Sequence, residues 1–247
     1  MNIKRHLPNL FTLGNLLCGT IAVIFAVTGD FTSTAIFVAS GIGFDFFDGF
    51  IARLLQVQGE LGKQLDSLAD MVTSGVVPGI VMLQLLQAST AMHTVGYFGY
   101  MPLEESISII SFFGLLVTLA ACYRLGKFNI DERQSESFIG LPTPAMTLFI
   151  VSLPLIVLYA PDTFFADLIH NTYFLIAITL IFSWIMNAEI KLFSLKFASY
   201  RVNDNITKYV FLIVSLILVV IFQIVSVPLI IGLYVLISIF KNINIDK

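Results

Sequence analysis

The chain has 247 residues, of which 57% are hydrophobic and 12% are charged, and its formal net charge is −3. Soluble globular domains carry roughly 25% charged residues, and disordered chains are poor in apolar residues, so the composition excludes both classes. Apolar runs of about 20 residues recur along the whole sequence, which is typical of a polytopic membrane protein.

Eight apolar spans are predicted in chain order, and they form a single all-α membrane domain over residues 1–247. The last two are separated by Ser226-Val227-Pro228, which fits either a tight hairpin or a kink in one long helix. No clean small-x-small cleavage site follows the first span, so we expect an uncleaved helix rather than a signal peptide. The predicted spans are about 10–28, 33–54, 65–87, 106–126, 143–160, 168–187, 207–226 and 228–240.

The charged residues predict how these spans are oriented. With eight spans, all 13 Lys and Arg fall on one side of the membrane. The positive-inside rule makes that side, and both termini, cytoplasmic, and we expect the cell (inner) membrane. The basic residues are Lys4, Arg5, Arg53, Lys63, Arg124, Lys127, Arg133, Lys191, Lys196, Arg201, Lys208, Lys241 and Lys247. The loops of the opposite side hold Asp30, Glu104, Glu105, Asp162 and Asp167.

Four aspartates lie at the cytoplasmic ends of the second and third spans. Asp45 and Asp48 are three residues apart, and Asp66 and Asp70 are four apart, so each pair shares one helix face. A charged side chain costs about 2.5–3.5 kcal/mol at the centre of a membrane helix, and neighbouring carboxylates also repel one another. Because a short loop joins the two antiparallel spans, we expect these faces to meet. The result is an oxygen-rich site suited to Mg²⁺, Mn²⁺ or Ca²⁺.

Basic and small residues surround these aspartates. Only Arg53 and Lys63 lie nearby, which is too few to neutralise four acids in a structural ion-pair network. Arg53 is a planar cation suited to a phosphate or to one of the carboxylates. Gly49, Ala52 and Gly62 are small, and glycine is used where a backbone or a ligand comes close. Small residues in membrane helices also permit close helix packing, so both interpretations remain open for these positions.

The spacing of these residues resembles the signature of the CDP-alcohol phosphatidyltransferases. All eight identities and all spacings match. The signature runs as Asp45-x-x-Asp48-Gly49-x-x-Ala52-Arg53, then eight residues, then Gly62-x-x-x-Asp66-x-x-x-Asp70.

The resemblance implies a six-helix catalytic core over about residues 8–187, followed by a C-terminal helical pair at about 207–240. It implies a CDP-linked lipid substrate, two divalent cations (Mg²⁺ or Mn²⁺), a homodimer and no nucleic-acid partner. Asp45, Asp48 and Asp66 would ligate metal, and Asp70 would ligate metal and act as the general base. Gly49, Ala52 and Gly62 would line the nucleotide pocket.

Two further stretches resemble the membrane-embedded phosphatidylserine synthases within that family. The resemblance implies CDP-diacylglycerol and serine as the substrates. The first stretch is Pro8-Asn9-Leu10-Phe11-Thr12-Leu13-Gly14-Asn15-Leu16-Leu17-Cys18-Gly19. The second is Arg124-Leu125-Gly126-Lys127-Phe128-Asn129, followed by Phe138-Ile139-Gly140-Leu141-Pro142-Thr143-Pro144-Ala145.

Five residues in these stretches are candidates for substrate contacts. Arg124, Lys127 and Asn129 could bind the carboxylate of serine or a lipid phosphate, although basic residues at a helix end also reach for the membrane surface. Thr12 and Asn15 share a face of the first span. They could contact the nucleotide or the metal shell, or form a helix–helix hydrogen bond.

Three other functions compete with this interpretation. A sibling transferase would use glycerol phosphate, inositol or choline as the acceptor, and the signature does not distinguish these alcohols. An intramembrane prenyltransferase also uses aspartate pairs and Mg²⁺, but its acidic motifs usually lie far apart in sequence. A cation transporter would place its acids near the midplane of the membrane, whereas these lie toward one face. The His residues form no H-x-K motif, which makes a covalent phosphohistidine route unfavourable.

Overall fold

The computed structural model describes residues 6–57, 59–95, 107–131, 139–193 and 205–245. These residues are almost entirely helical, and no strand occurs among them apart from one isolated bridge between Ile139 and Lys191. The α-helices are α1 (Leu7–Thr28), α2 (Phe31–Leu54), α3 (Glu60–Asp70), α4 (Val77–Val95), α5 (Leu116–Ile130), α6 (Thr143–Tyr159), α7 (Phe164–Ile169), α8 (Thr172–Asn187), α9 (Ile206–Phe222) and α10 (Ser226–Ile245). Met71–Val76 is a π-helix, and Ile109–Leu115 and Gln223–Val225 are 3₁₀-helices.

The predicted all-α polytopic membrane fold is confirmed. Five helical stretches of the described chain are long and apolar enough to cross a membrane, and α6 and α8 are shorter apolar helices. Several helices extend beyond or begin after the predicted apolar spans. The helical stretch of the third span runs from Glu60 to Val95 rather than over about 65–87, and the apolar pattern missed its first turn because that turn is polar. Helix α8 begins at Thr172 rather than near 168. The Asn171 side chain caps α8 by accepting hydrogen bonds from the N–H groups of Tyr173 and Phe174.

The C-terminal apolar stretch folds back on itself as a hairpin. Gln223 has φ 46°, a left-handed conformation that ends α9. The rings of Phe211 in α9 and Tyr234 in α10 have centroids 5.8 Å apart. A straight helix rises 1.5 Å per residue, so it would separate these positions by roughly 35 Å. The break between the last two predicted spans is therefore a hairpin and not a kink.

The core of the bundle is built around α6, whose residues are buried along most of its length, among them Met146, Ile150 and Leu153. Helix α1 presents the small residues Ala22 and Ala26 to its neighbours, and both are fully buried. Small residues let membrane helices approach closely. Between α1 and α2 this holds at Gly14, which lies against Phe44, and at Gly41, which lies against Asn15 and Cys18. Helix α9 buries only Phe211, and the rest of its length is more exposed.

The loops at one end of the bundle are held together by Arg124. Its guanidinium is buried and donates hydrogen bonds to the carbonyl oxygens of Ile139 (2.9 Å), Gly140 (3.0 Å) and Met186 (2.5 Å). Gly140 has φ 75°, and a Cβ there would meet both the Met186 carbonyl and the guanidinium. This arrangement ties the end of α5 to the start of α6 and the end of α8.

The same end of the bundle carries Lys63 and Lys127. The Lys63 ammonium donates to the carbonyl of Asn129 at 2.5 Å, and Lys127 pairs with Glu189 at 3.6 Å. Asp30 lies at the other end, in the turn between α1 and α2. Several residues used to predict the topology fall outside the described residues: Lys4, Arg5, Glu104, Glu105, Arg133, Lys196, Arg201 and Lys247.

The π-helix interrupts one long helix that runs over residues 60–95. A π-turn changes which backbone carbonyls are paired, and inside a membrane every carbonyl needs a partner within the protein. Two threonines of other helices supply such partners. Thr118 donates to the carbonyl of Gly75 at 2.9 Å, and Thr147 donates to that of Ser74 at 3.1 Å.

Candidate metal and nucleotide site

Three of the four aspartates converge where α2 ends and α3 begins. Asp45, Asp48 and Asp66 each offer a carboxylate oxygen, and these oxygens all lie within 4.8 Å of one another. Asp48 is 7% exposed. The faces of α2 and α3 therefore meet as their spacing predicts. Asp70 lies one turn beyond Asp66 and is not part of this group of three within the described structure.

Helix α1 supplies two hydrogen bonds to the aspartates. The Thr12 hydroxyl donates to Asp48 Oδ2 at 2.5 Å. The Asn15 amide nitrogen donates to Asp70 Oδ1 at 3.0 Å. Both polar side chains are buried, with exposures of 3% and 0%. Each carboxylate is thereby fixed in orientation by a neutral donor that adds no positive charge.

A divalent cation fits this donor set. Asp66 Oδ1 is buried and has no hydrogen-bond partner among the described residues. None of the four carboxylates forms an ion pair with a Lys or Arg in the described part of the chain. A buried carboxylate oxygen without a partner is strongly unfavourable. Hard carboxylate oxygens in such a cluster are the ligands that Mg²⁺ and Mn²⁺ prefer.

Two of the four aspartates, Asp48 and Asp66, line a cleft with a volume of about 430 Å³, whereas Asp45 and Asp70 do not. Arg53 and Lys63 contribute positive charge to the lining. Such a volume is in the range of small-molecule sites, roughly 300–1,000 Å³. The cleft is lined by Pro8, Asn9, Thr12, Asp48, Gly49, Ala52, Arg53, Val57, Gly59, Glu60, Gly62, Lys63 and Asp66.

The cleft brings most predicted nucleotide-binding residues together. Thr12, Gly49, Ala52, Arg53 and Gly62 all line it. Asn15 does not, because its side chain is buried between helices. Its amide donates to Asp70, which agrees with two of the predicted alternatives, a helix–helix hydrogen bond and a contact with the proposed metal ligands. Its contact with the nucleotide stays a prediction.

Six lining residues were not among the predicted site residues. Pro8 and Asn9 lie four and three residues before Thr12, so helical spacing alone puts all three on one face. The sequence alone could therefore have placed Pro8 and Asn9 beside Thr12. Lys63 lies three residues before Asp66, so helical spacing also places it on the aspartate face of α3. The remaining three lie in or next to the loop between α2 and α3, whose path periodicity does not predict: Val57, Gly59 and Glu60.

Neither glycine of the signature is required by contacts within the described protein. A Cβ added to Gly49 would meet only the Arg53 guanidinium, at 4.0 Å. A Cβ at Gly62 would meet Asn9 Oδ1 at 3.5 Å, an ordinary contact. Gly79 is different, because a Cβ there would overlap the Thr118 hydroxyl. The space beside Gly49 and Gly62 belongs to the cleft.

The model of the CDP-alcohol phosphatidyltransferase family matches residues 5–188 of the sequence. This chain belongs to that family. The family predicted from the aspartate signature is confirmed, and the matched residues contain all four aspartates and the whole lining of the cleft.

Individual relatives are similar over about 60% of the chain. A CDP-diacylglycerol–serine O-phosphatidyltransferase of Bacillus subtilis is 32% identical over 149 residues, covering 60% of this chain and 75% of that protein. A protein of the same name from Helicobacter pylori is 31% identical over 147 residues, covering 58% and 55%. An archaetidylserine synthase of Methanothermobacter thermautotrophicus is 29% identical over 157 residues, covering 62% and 60%. The match thus spans little more than half of the Helicobacter protein.

Three predicted acceptor residues of this phosphatidyltransferase do not line the cleft. The hydrogen bonds of Arg124 all go to backbone carbonyls, so its guanidinium organises the loops in this structure. Lys127 is bound to Glu189. Asn129 lies closer to the site, since its side chain exchanges hydrogen bonds with Ser67 at 2.8 and 3.1 Å. The predicted anion contacts of these residues stay predictions.

The carboxylate cluster predicts how divalent metal binding responds to substitution. Asp48→Asn and Asp66→Asn should each weaken Mn²⁺ binding by at least about tenfold, because a neutral carboxamide is a poorer ligand. Titration calorimetry of the detergent-purified protein measures this.

Asp30→Asn is the matched control, since Asp30 caps the far end of α2 and Asn caps a helix equally well. Its Mn²⁺ affinity should equal that of the unaltered protein. An equal loss in all three variants would show that the measured ion binds outside the cluster.

Proposed function

We propose that this phosphatidyltransferase transfers the phosphatidyl group of CDP-diacylglycerol to L-serine and releases CMP. The observation that carries the proposal is the convergence of the aspartate cluster on a cleft whose glycines have no packing role among the described residues. Serine as the acceptor is supported by the similar proteins of Bacillus subtilis and Helicobacter pylori, which are named CDP-diacylglycerol–serine O-phosphatidyltransferases.

The cleft suits the CDP part of the lipid. Gly49, Ala52 and Gly62 leave the backbone of α2 and α3 open to a flat ligand. The Arg53 guanidinium at the rim can form paired hydrogen bonds with a phosphate. The Thr12 hydroxyl donates its hydrogen bond to Asp48, so its proposed role is to hold that carboxylate in place.

Asp45, Asp48, Asp66 and Asp70 would hold one or two divalent cations, Mg²⁺ or Mn²⁺. When bound, such ions neutralise a pyrophosphate and stabilise the departing CMP. The fully carboxylate donor set and the unpartnered Asp66 oxygen support this assignment.

Asp70 is the proposed general base. Its Oδ1 accepts a hydrogen bond from Asn15, whereas its Oδ2 accepts none from the described residues. The serine hydroxyl oxygen attacks the β-phosphorus, and the bond from that phosphorus to the oxygen bridging to CMP breaks. The hydroxyl proton passes to Asp70 Oδ2, and CMP leaves with the bridging oxygen.

We propose that the enzyme lies in the inner membrane and that its site faces the cytoplasm. The aspartates lie at the bundle end that carries Arg53, Lys63 and Lys127, and positive charge favours the cytoplasmic side. CDP-lipids and serine then meet at the membrane surface. A homodimer is also proposed, on the resemblance to the family alone.

An acceptor panel tests the proposed function. Purified enzyme in mixed micelles receives radiolabelled CDP-diacylglycerol, Mn²⁺ and one of serine, glycerol phosphate, inositol or choline. CMP and a serine phospholipid should form with serine, and a chelator should abolish both. A product with another alcohol would identify a sibling transferase. Mn²⁺ uptake into vesicles without CMP release would favour a transporter.

The open space at Gly49 predicts a change in substrate affinity. Gly49→Ala should raise the KM for CDP-diacylglycerol by roughly tenfold, equivalent to about 1.4 kcal/mol, because the added methyl projects into the cleft. Steady-state kinetics over a range of lipid concentrations measures this. Gly43→Ala is the control on the same helix, since a Cβ there meets nothing within 4 Å. If both variants keep the original KM, the nucleotide does not approach Gly49.

The proposed base predicts a split between kcat and KM. Asp70→Asn should lower kcat by roughly 10²–10⁴-fold, the usual contribution of a positioned base, with little change in the KM for the lipid. Mn²⁺ binding, measured in the same detergent, should persist at the other three aspartates. Loss of metal and lipid binding together would make Asp70 chiefly a ligand.

A further inference from the structure

Asp70 is followed at once by the π-helix Met71–Val76. Single π-turns within α-helices are rare and often occur at functional sites. The π-turn brings Thr73 inward, where its side chain is 1% exposed. No predicted role and no part of the proposed reaction uses this residue.

Among the described residues, the Thr73 hydroxyl has hydrogen-bond partners only on Asn15. Its Oγ1 lies 2.7 Å from Asn15 Oδ1 and 3.2 Å from the Asn15 carbonyl oxygen. The hydroxyl therefore donates, and the nearer acceptor is the side-chain amide oxygen. The other end of the same amide, Nδ2, donates to Asp70 Oδ1 at 3.0 Å. Two hydrogen bonds thus run in one direction, from Thr73 through Asn15 to Asp70.

Thr73 packs against a glycine of α1 and a glycine of α2, where a larger residue would not fit. A Cβ at Gly19 of α1 would lie 3.0 Å from both the backbone nitrogen and the Cα of Thr73. A Cβ at Gly41 of α2 would lie 2.9 Å from Thr73 Cγ2 and 3.0 Å from Asn15 Oδ1. Thr73 therefore packs closely against α1 and α2, and Asn15 packs closely against α2.

A carboxamide has two chemically different ends, and an ionised carboxylate accepts hydrogen bonds but donates none. The orientation seen here places the donor end of Asn15 against Asp70, and the acceptor end then requires a donor of its own. Thr73 is that donor. Without it, Oδ1 would be buried without a partner, and the amide could turn its oxygen toward the carboxylate.

We propose that Thr73 is a positioning residue for the transfer reaction, because its hydroxyl holds the Asn15 amide in the orientation that fixes Asp70. This inference rests on the proposed role of Asp70 as the base. Asn15 then leaves Asp70 Oδ2 facing the reacting hydroxyl. Thr118 and Thr147 also hydrogen-bond to the π-helix, but to its carbonyls and not to Asn15.

The test compares four single variants of the full-length enzyme in the serine assay. Thr73→Val keeps the shape and removes the donor, and its kcat should fall by about 10–100-fold, the usual cost of losing a residue that orients a site group. Its KM for CDP-diacylglycerol should stay within about twofold of the original value. Thr73→Ser restores the hydroxyl and should return kcat to within about threefold of the original value.

Thr179→Val is the matched control, because Thr179 is equally buried and its hydroxyl donates only to a carbonyl of its own helix. The fourth, Asp70→Asn, sets the activity that remains without the base.

A double variant shows whether Thr73 acts through Asp70. Thr73→Val should cost little further activity in an Asp70→Asn background, because residues that act as a unit are non-additive. A kcat for Thr73→Val equal to that of the unaltered enzyme would overturn the proposal. So would full additivity with Asp70→Asn, or a failure of Thr73→Ser to restore kcat.

Two outcomes separate this inference from other failures. If Thr73→Val does not fold, Thr73→Ala replaces it, since alanine also lacks a side-chain donor. An unchanged kcat in Thr73→Ala would then overturn the inference. If the unaltered enzyme makes no product with serine, the proposed function is wrong, and the inference, which rests on it, is wrong as well. An active enzyme with an unaffected Thr73→Val refutes the inference alone.

Discussion

Mutual repulsion among the aspartate carboxylates is the constraint on which this structure depends. Asp45, Asp48 and Asp66 place oxygens within 4.8 Å of one another, where like charges disfavour one another strongly in a medium of low dielectric. The chain offers hydroxyl and amide donors from α1 but, among the described residues, no paired cation. The cluster thus suits a positive charge from outside the chain, and the proposed divalent cation would supply it compactly.

The surrounding architecture keeps this unfavourable cluster in place. Asp45 and Asp48 belong to α2, and Asp66 and Asp70 to α3, so the loop between these helices sets the distance between the two pairs. The buried face of α1 reaches both pairs through Thr12 and Asn15. At the same end of the bundle, Arg124 binds the loops next to α6 and α8 through three carbonyls. These hydrogen bonds connect α1 to both aspartate pairs and α5 to the neighbouring loops at the end of the bundle that holds the site.

Regular spacing made much of this predictable from the sequence. Apolar runs predicted the helices, and the three- and four-residue spacing of the aspartates predicted which faces would meet. The partners of Arg124 were not predictable, because they lie 15, 16 and 62 residues away along the chain. The sequence left Asn15 open between the nucleotide, the metal shell and a helix–helix hydrogen bond, and it did not predict that its partner would be Asp70, 55 residues away. Hydrogen bonds between distant segments depend on how helices rotate against each other, which periodicity does not define.

The most direct test of the central claim is to locate the metal in crystals of the protein grown with Mn²⁺ and a CDP-lipid. The account predicts anomalous scattering peaks from Mn²⁺ bound directly by the carboxylates of Asp45, Asp48 and Asp66, with the pyrophosphate in the cleft beside Gly49. A cluster whose carboxylates bind Lys or Arg side chains, with no anomalous peak among them and the lipid elsewhere, would contradict it.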